Sequence, residues 1–260
     1  MSGKNKYDRV AFRDAPSPIE QELKTVFNLN DPLTIFDIGS CEGEDSIRYA
    51  KLLPNASIYA FEPLPKNLER IAACLKKFPD LNIEAFPYAL SSQSGKAVFY
   101  VSSGTPPGKQ TEDWDFGNKS SSLLPPAKTK EVRPWLKFQD KIEVEKKTIV
   151  EFCKERGIQE IDVIHMDVQG AEIDVMEGAG NLLDSTRLIW LEVSSLELYQ
   201  GQPLKNEIET YMKDRQFKKM KDTVKKASGD QLYINSRFTK AIHQRSLFEQ
   251  LTTWLKSAFK

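Results

Sequence analysis

The sequence predicts an α/β fold built on a doubly wound sheet, and three observations support this class. Short apolar runs alternate with segments of helical spacing, beginning with the run 34–38 and the helical pattern after Gly43. Several of the apolar runs end in a carboxylate. Near the C-terminus, segments 217–222 and 231–235 flank a polar turn, which predicts an antiparallel hairpin at the edge of the sheet.

Length and charge narrow the class of protein. A chain of 260 residues suffices for one α/β domain with added segments. Lys and Arg equal Asp and Glu at 37 each, so no overall field favours nucleic acid as a partner. Three scattered cysteines favour a reducing compartment. The N-terminus lacks the apolar core of a signal peptide, and no run approaches transmembrane length, so a cytoplasmic location is expected.

The segment after the first apolar run has the pattern DxGxxxG, formed by Asp37, Gly39 and Gly43. Gly39 lets the backbone turn sharply and approach a ligand, because it has no Cβ. Dinucleotide folds instead carry GxGxxG at this point. Three further acids follow in the turn and the start of the helix: Glu42, Glu44 and Asp45. They would repel a pyrophosphate but tolerate an ammonium and a sulfonium, which favours S-adenosylmethionine over NAD.

Acidic residues stand at the ends of four predicted strands: Asp37, Glu62, Asp167 and Glu192. In open α/β sheets the ligand lies outside the carboxyl ends of the strands, so these side chains are expected to meet there. Glu62 follows Gly39 at about the interval at which an acid binds ribose hydroxyls in such sheets. A single acid of this kind is more often a helix cap, but four in succession favour cofactor binding.

Several motifs resemble the FkbM-type methyltransferases: DIGSCEG at 37–43, AFEP at 60–63, Ala89-Leu90-Ser91, DVQGAEIDVMEGA at 167–179 and LEV at 191–193. The resemblance covers roughly residues 33–234. It implies a class I methyltransferase sheet of Rossmann-like type, with S-adenosylmethionine as cofactor. It also implies O-methylation of a hydroxyl on a sugar, glycan or related metabolite.

The resemblance further implies roles for individual residues. It assigns the methionine part of the cofactor to Asp37, Gly39, Ser40, Cys41 and Gly43. Glu62 would hold the ribose, Pro63 and Ala89 would flank the adenine, and Asp167 would border the site of methyl transfer. The chain departs from the family pattern of Asn, Lys and Glu at three positions: Cys41, His165 and Gln169.

Methyl transfer to a hydroxyl requires alignment of the acceptor and removal of its proton. His165 and Asp167 alternate onto one face of a strand, so His165 is a candidate base, oriented by Asp167 or Glu192. The alternative is a buried histidine bonded to the backbone. Asp167, Glu172 and Glu192 could also bind Mg²⁺, although carboxylate spacing alone does not favour a metal site.

Two other functions remain open at this point. One is N-methylation of an amine-containing metabolite, which needs less base catalysis. The other is a catalytically inactive cofactor-binding module, which the departures at 165 and 169 make possible.

The chain divides into three predicted parts. Residues 1–30 form an N-terminal extension with a lead-in helix, and 31–236 form the methyltransferase domain. Within it, 102–138 lacks periodicity and predicts an inserted, lid-like segment. Residues 237–260 form a basic amphipathic helix, which could dock on its own domain or a homodimer partner, contact a membrane surface, or remain disordered.

Overall fold

The computed structural model describes residues 9–109 and 116–239. A central sheet of seven strands has the order β3-β2-β1-β7-β8-β10-β9, and a second sheet has the order β4-β6-β5. The strands are β1 Thr34–Ile38, β2 Ser57–Phe61, β3 Ile83–Phe86, β4 Tyr88–Leu90, β5 Gly95–Ser103, β6 Lys137–Lys147, β7 Val163–Met166, β8 Leu188–Ser194, β9 Phe217–Asp222 and β10 Ser228–Asn235.

Helices cover both faces of the central sheet, as expected for a doubly wound fold. They are α1 Arg9–Asp14, α2 Glu20–Val26, α3 Glu44–Leu52, α4 Pro65–Leu75, α5 Thr129–Val132, α6 Ile149–Arg156, α7 Glu172–Glu177, α8 Leu182–Ser185 and α9 Lys205–Asp214. Alternate residues of β1 face opposite layers: Phe36 packs with Phe152 of α6, whereas Ile35 packs with Tyr49 of α3. The two apolar clusters therefore lie on the two faces of one sheet.

The structure confirms the predicted antiparallel hairpin at the edge of the sheet. Strand β10 is antiparallel to both of its neighbours, β8 and β9, and β9 forms the edge. The polar turn lies earlier than predicted, because Ser228 and Gly229 already belong to β10. The apolar spacing after Gly170 predicts one helix through Leu183, but the structure has two short helices there, α7 and α8. They separate at Gly178, where a Cβ would lie 2.1 Å from the Ser91 carbonyl oxygen.

The predicted insertion is shorter than its sequence pattern indicates. Strand β5 extends to Ser103 and β6 begins at Lys137, and the two pair in antiparallel fashion. The described part of the remaining loop holds a 3₁₀ turn, Asn118–Ser120, and helix α5. Trp114 lies outside the described residues.

The predicted C-terminal helix falls almost entirely outside the described residues. Of the range 237–260, only 237–239 is described, and residues Ser236–Phe238 form a 3₁₀ turn. Contact of this segment with a membrane or a partner stays a prediction. Across 9–109 and 116–239, no helix is long and apolar enough to cross a membrane.

The turn after β1 fits against the end of β7 only because residue 39 is a glycine. Gly39 has a φ of +79°, and a Cβ on it would lie 2.1 Å from the Asp167 carbonyl oxygen. Its N–H and that of Ser40 donate to the Phe61 carbonyl at the end of β2, at 2.9 and 3.1 Å. The turn is thereby fixed between the two strands that flank β1.

We expect Gly39→Ala to destabilise the protein more than Gly157→Ala, a matched control with φ +69° and no atom near an added Cβ. The control should lose about 1–2 kcal/mol through backbone conformation alone. Gly39→Ala should lose about 1–3 kcal/mol more, because the Asp167 backbone must move. Urea unfolding of both variants measures the difference, and equal losses would show that the close approach to Asp167 carries no cost.

Candidate active site

A cavity of about 510 Å³, including its open mouth, lies at the carboxyl ends of β1, β2 and β7. Its lining comes from both sheets and from the loop before α5: Ile38, Gly39, Cys41, Phe61, Glu62, Pro63, Tyr88, Ala89, Leu90, Phe99, Asn118, Lys119, Ser121, Leu123, Asp167 and Val168. Apolar side chains from β4 and β5 form the wall opposite the central sheet. Apolar walls with a few polar groups are typical of a small-molecule binding site.

Glu62 lies on the cavity wall with both carboxylate oxygens held by the backbone. Oε2 accepts the Cys41 N–H at 2.9 Å, and Oε1 accepts the Leu64 N–H at 2.8 Å. The residue is 5% exposed, and burial raises its pKa to about 8. A ligand hydroxyl that donates to this carboxylate would stabilise its ionised form.

Cys41 occupies a strained position in the turn. Its φ is +51°, a left-handed conformation that Asn adopts more readily than Cys. Its Sγ lies 3.7 Å from both Asn118 Oδ1 and Asn67 Nδ2, and burial raises the thiol pKa well above its usual value. Cys41 therefore lines the cavity as a neutral thiol.

The three acids of the turn are each paired with a cation. Glu42 contacts Arg70, Glu44 Oε1 lies 3.5 Å from Lys119 Nζ, and Asp45 Oδ1 lies 2.9 Å from Arg48 Nη1. The expectation that free carboxylates here would repel a phosphate is therefore wrong. Their charges are neutralised within the protein, so the turn itself does not discriminate between the cofactors on charge.

Asp167 and Glu192 are joined by the amide of Gln169. Its Nε2 donates to Asp167 Oδ1 at 2.5 Å and to Glu192 Oε2 at 2.6 Å. Its Oε1 lies 2.8 Å from the hydroxyl of Tyr199, which also reaches the Ser120 carbonyl at 2.7 Å. Both amide hydrogens are thus used by carboxylates.

The ionisation of this acid pair is displaced from the usual range. Asp167 is exposed to the cavity. The protein on its other sides shields the carboxyl group from solvent, and this desolvation raises its pKa. Burial and the neighbouring Asp167 raise the pKa of Glu192 well above its usual value. Asp230 lies directly opposite Glu192 on β10, and burial raises its pKa to about 6. The carboxyl end of the sheet therefore holds acids that take up protons more readily than free carboxylates.

His165 lies one layer beneath the cavity. It pairs with Asp37 in the register of β7 on β1, and its Nδ1 lies 3.3 Å from Asp37 Oδ1. The Tyr49 ring packs against it edge-on, with centroids 5.7 Å apart. Burial opposes its charge, but contact with Asp37 raises the pKa to about 9. A histidine that is protonated near neutral pH cannot accept a proton, so this geometry gives no support to His165 as the base.

The structure brings part of the predicted cofactor set together on the cavity wall: Gly39, Cys41, Glu62, Pro63, Ala89 and Asp167. The other predicted residues lie behind this wall: Asp37, Ser40, Gly43, His165 and Glu192. Asp37 accepts the Ser46 hydroxyl at 2.5 Å, and Gly43 is the N-cap of α3, where an added Cβ would lie 3.3 Å from Ile71 Cγ1. These residues support the turn, and their functional roles stay predictions.

Sequence reasoning predicted Ala89 of β4 for the site but did not place Phe99 of β5, or Asn118 and Lys119 of the loop before α5, at the cavity. Phe99 comes from β5, and Asn118, Lys119 and Ser121 come from a segment without periodicity. Asn118 Nδ2 donates to Glu42 Oε1 and Asn67 Oδ1, both at 3.0 Å. The only signal in the sequence was the polar, serine-rich composition of this stretch.

The three carboxylates considered as possible Mg²⁺ ligands are Asp167, Glu172 and Glu192, and Glu172 is used elsewhere. Glu172 faces its own helix start, where Oε1 accepts the Gly170 N–H at 3.0 Å. In the described part of the chain, no group of three or more His, Cys, Asp or Glu side chains is placed to hold a metal ion. We therefore do not assign Mg²⁺ to this site.

Comparison with known proteins identifies the family. The model of the methyltransferase FkbM domain matches residues 37–219. The chain is 35% identical over 185 residues to 2-O-methyltransferase NoeI of Sinorhizobium fredii, covering 71% of this chain and 72% of the relative. The crystal structure of the methyltransferase FkbM from Methylobacillus flagellatus covers 87% of this chain, with a TM-score of 0.50 at 12% identity. This chain aligns with half the length of that solved chain, a likeness that shows the fold.

The glycine turn and the four strand-end acids lie within the residues that the family model matches. On the family match and the 35% identical relative, the chain belongs to the FkbM family of S-adenosylmethionine-dependent methyltransferases.

Proposed function

We propose that the protein transfers the methyl group of S-adenosylmethionine to a hydroxyl of a sugar, glycan or related metabolite. The observation that carries this proposal is the position of Asp167, whose carboxyl group faces the cavity and is held through Gln169. The curated relative is named a 2-O-methyltransferase, which supports transfer to oxygen. The sugar or glycan acceptor rests on the resemblance to the family.

The cavity fits the cofactor on chemical grounds. Glu62 offers a buried carboxylate to the ribose hydroxyls, beside the apolar surface of Pro63 and Ala89 for the adenine. Gly39 and Cys41 present backbone beside Glu62, and Asp167 lines the same cavity, where these residues would hold the methionine part. When bound, the cofactor supplies an electrophilic methyl group on its sulfonium sulfur.

The residues at the carboxyl end then act on the acceptor. Asp167 is placed to accept the hydroxyl proton as the acceptor oxygen attacks, and its raised pKa brings it closer to neutral pH. Gln169 holds the carboxyl group in one orientation and also donates to Glu192, which lies behind the cavity wall. The Asp167 carboxylate accepts hydrogen bonds from hydroxyls, which suits a hydroxylated acceptor.

We expect Asp167→Asn to reduce methyl transfer by about 100-fold or more, because a positioned base typically contributes about 10²–10⁴ in rate. Its affinity for S-adenosylhomocysteine should fall much less. Transfer of labelled methyl groups to a panel of saccharides measures the rate, and calorimetry measures the affinity.

His165→Gln is the companion variant for this measurement. A loss of turnover as large as that of Asp167→Asn would restore His165 as a participant in proton transfer. Full turnover of Asp167→Asn on an amine acceptor would instead favour N-methylation. A wild-type protein that binds cofactor but methylates no acceptor would favour an inactive binding module.

We expect Glu62→Gln to weaken binding of S-adenosylhomocysteine by about tenfold or more, since a hydrogen bond to a charged group is worth about 1.5–3 kcal/mol. Glu69→Gln, on the exposed surface of α4, is the matched control. Calorimetric titration gives both affinities, and thermal unfolding checks that the Cys41 turn is intact. Unchanged affinity in a folded Glu62→Gln variant would remove Glu62 from the ribose role.

The same residue predicts a pH dependence. In the free protein the Glu62 pKa is about 8, so the carboxyl group is largely protonated at pH 7. Ribose hydroxyls donate to the ionised form, and binding should therefore tighten as the pH rises through about 8. Glu62→Gln should abolish this dependence. Persistence of the same pH profile in the variant would assign it to another group.

A further inference from the structure

Lys119 is the cation among the described residues that line the cavity. It belongs to the 3₁₀ turn Asn118–Ser120, in the loop between β5 and α5. The preceding residue fixes this turn, because Asn118 is 4% exposed and its Nδ2 donates to both Glu42 and Asn67. The Lys119 backbone is therefore held at the cavity wall by hydrogen bonds to the first βα unit.

The ammonium of Lys119 lies beside the start of α3, and its residue lines the cavity. Its Nζ is 3.5 Å from Glu44 Oε1, at the start of α3, and 5.0 Å from the centroid of the Phe12 ring. Burial opposes its charge, but Glu44 and neighbouring acids outweigh this effect and raise the pKa. The group is therefore charged at neutral pH, and its field reaches Asp167 on the far side of the turn.

The residues that line the cavity differ in chemistry. Glu62, Pro63 and Ala89 suit the ribose and the adenine, and Lys119 supplies the positive charge of the lining. The amino-acid part of the cofactor carries a carboxylate, which requires a positively charged donor.

We propose that Lys119 binds the α-carboxylate of the amino-acid part of the cofactor, which makes the loop before α5 part of the cofactor site. The inference rests on the cofactor of the proposed function and adds a residue that neither the motifs nor the comparisons assign. An ammonium offers three donors, so it can bind this carboxylate while it stays paired with Glu44. The contact would also hold the loop against the bound ligand.

Two probes separate this role from general support of the cavity. S-adenosylhomocysteine carries the carboxylate, and 5′-methylthioadenosine keeps the adenosine and the thioether but lacks the amino acid. We expect Lys119→Met to weaken binding of the first by about tenfold or more, and binding of the second by less than about twofold. Calorimetric titration at fixed pH and salt measures all affinities.

Two control variants complete the design. Lys119→Arg keeps the charge and should stay within about threefold of the wild-type affinity for S-adenosylhomocysteine. Lys130→Met removes an exposed lysine of α5 and should bind both probes as the wild type does. Binding of 5′-methylthioadenosine also shows that each variant is folded.

Three outcomes would overturn the proposal. Equal weakening of both probes in Lys119→Met would mean that Lys119 only supports the wall, and unchanged binding of S-adenosylhomocysteine would place its carboxylate elsewhere. Both results would leave the proposed function intact. A wild-type protein that binds neither probe would overturn the proposed function together with this assignment.

Discussion

The site depends on the contact between the turn after β1 and the end of β7. Gly39 packs so closely against the Asp167 carbonyl that no side chain fits between them, and its N–H is bonded to the end of β2. Three strand ends are thereby joined at one point. The contact between Gly39 and Asp167 places Cys41 beside Glu62 and places Asp167 at the cavity. It therefore positions both the proposed ribose-binding carboxylate and the proposed base.

A polar network ties the loop before α5 to this joint. Asn118 shares Glu42 with Arg70, and Lys119 pairs with Glu44. On the other side, Ser122 Oγ donates to the Gln169 carbonyl at 2.8 Å. The bonds made by Asn118, Lys119 and Ser122 join the non-periodic loop to the turn after β1, to the start of α3 and to the turn after β7. The loop is therefore an integral wall of the cavity, and the ion pairs neutralise the acids that the sequence places in the turn.

The sequence predicts local features well, because they depend on residues close together in the chain. The apolar run 34–38, the glycine turn and each strand-end acid belong to a single βα unit. The parallel order of the strands then brings the strand ends to the same side of the sheet. The second sheet was missed because β4 has three residues and pairs with β6, some 57 positions later in register. The depth of His165 was missed for a related reason. Strand alternation places His165 on the same face of β7 as Asp167. Only the structure shows that the Tyr49 ring covers this face at His165.

His165 and Gln169 depart from the family pattern, and their contacts in the structure show what each residue does at its position. Contact with Asp37 raises the His165 pKa to about 9, so near neutral pH the position keeps the positive charge that the family's lysine would supply. Gln169, in contrast, replaces an acid by a neutral donor. A glutamate there would set a third carboxylate against Asp167 and Glu192, whereas the amide gives each of them a hydrogen bond. Position 165 thus keeps a positive charge. Gln169 stabilises Asp167 and Glu192 because it adds hydrogen bonds and no third negative charge.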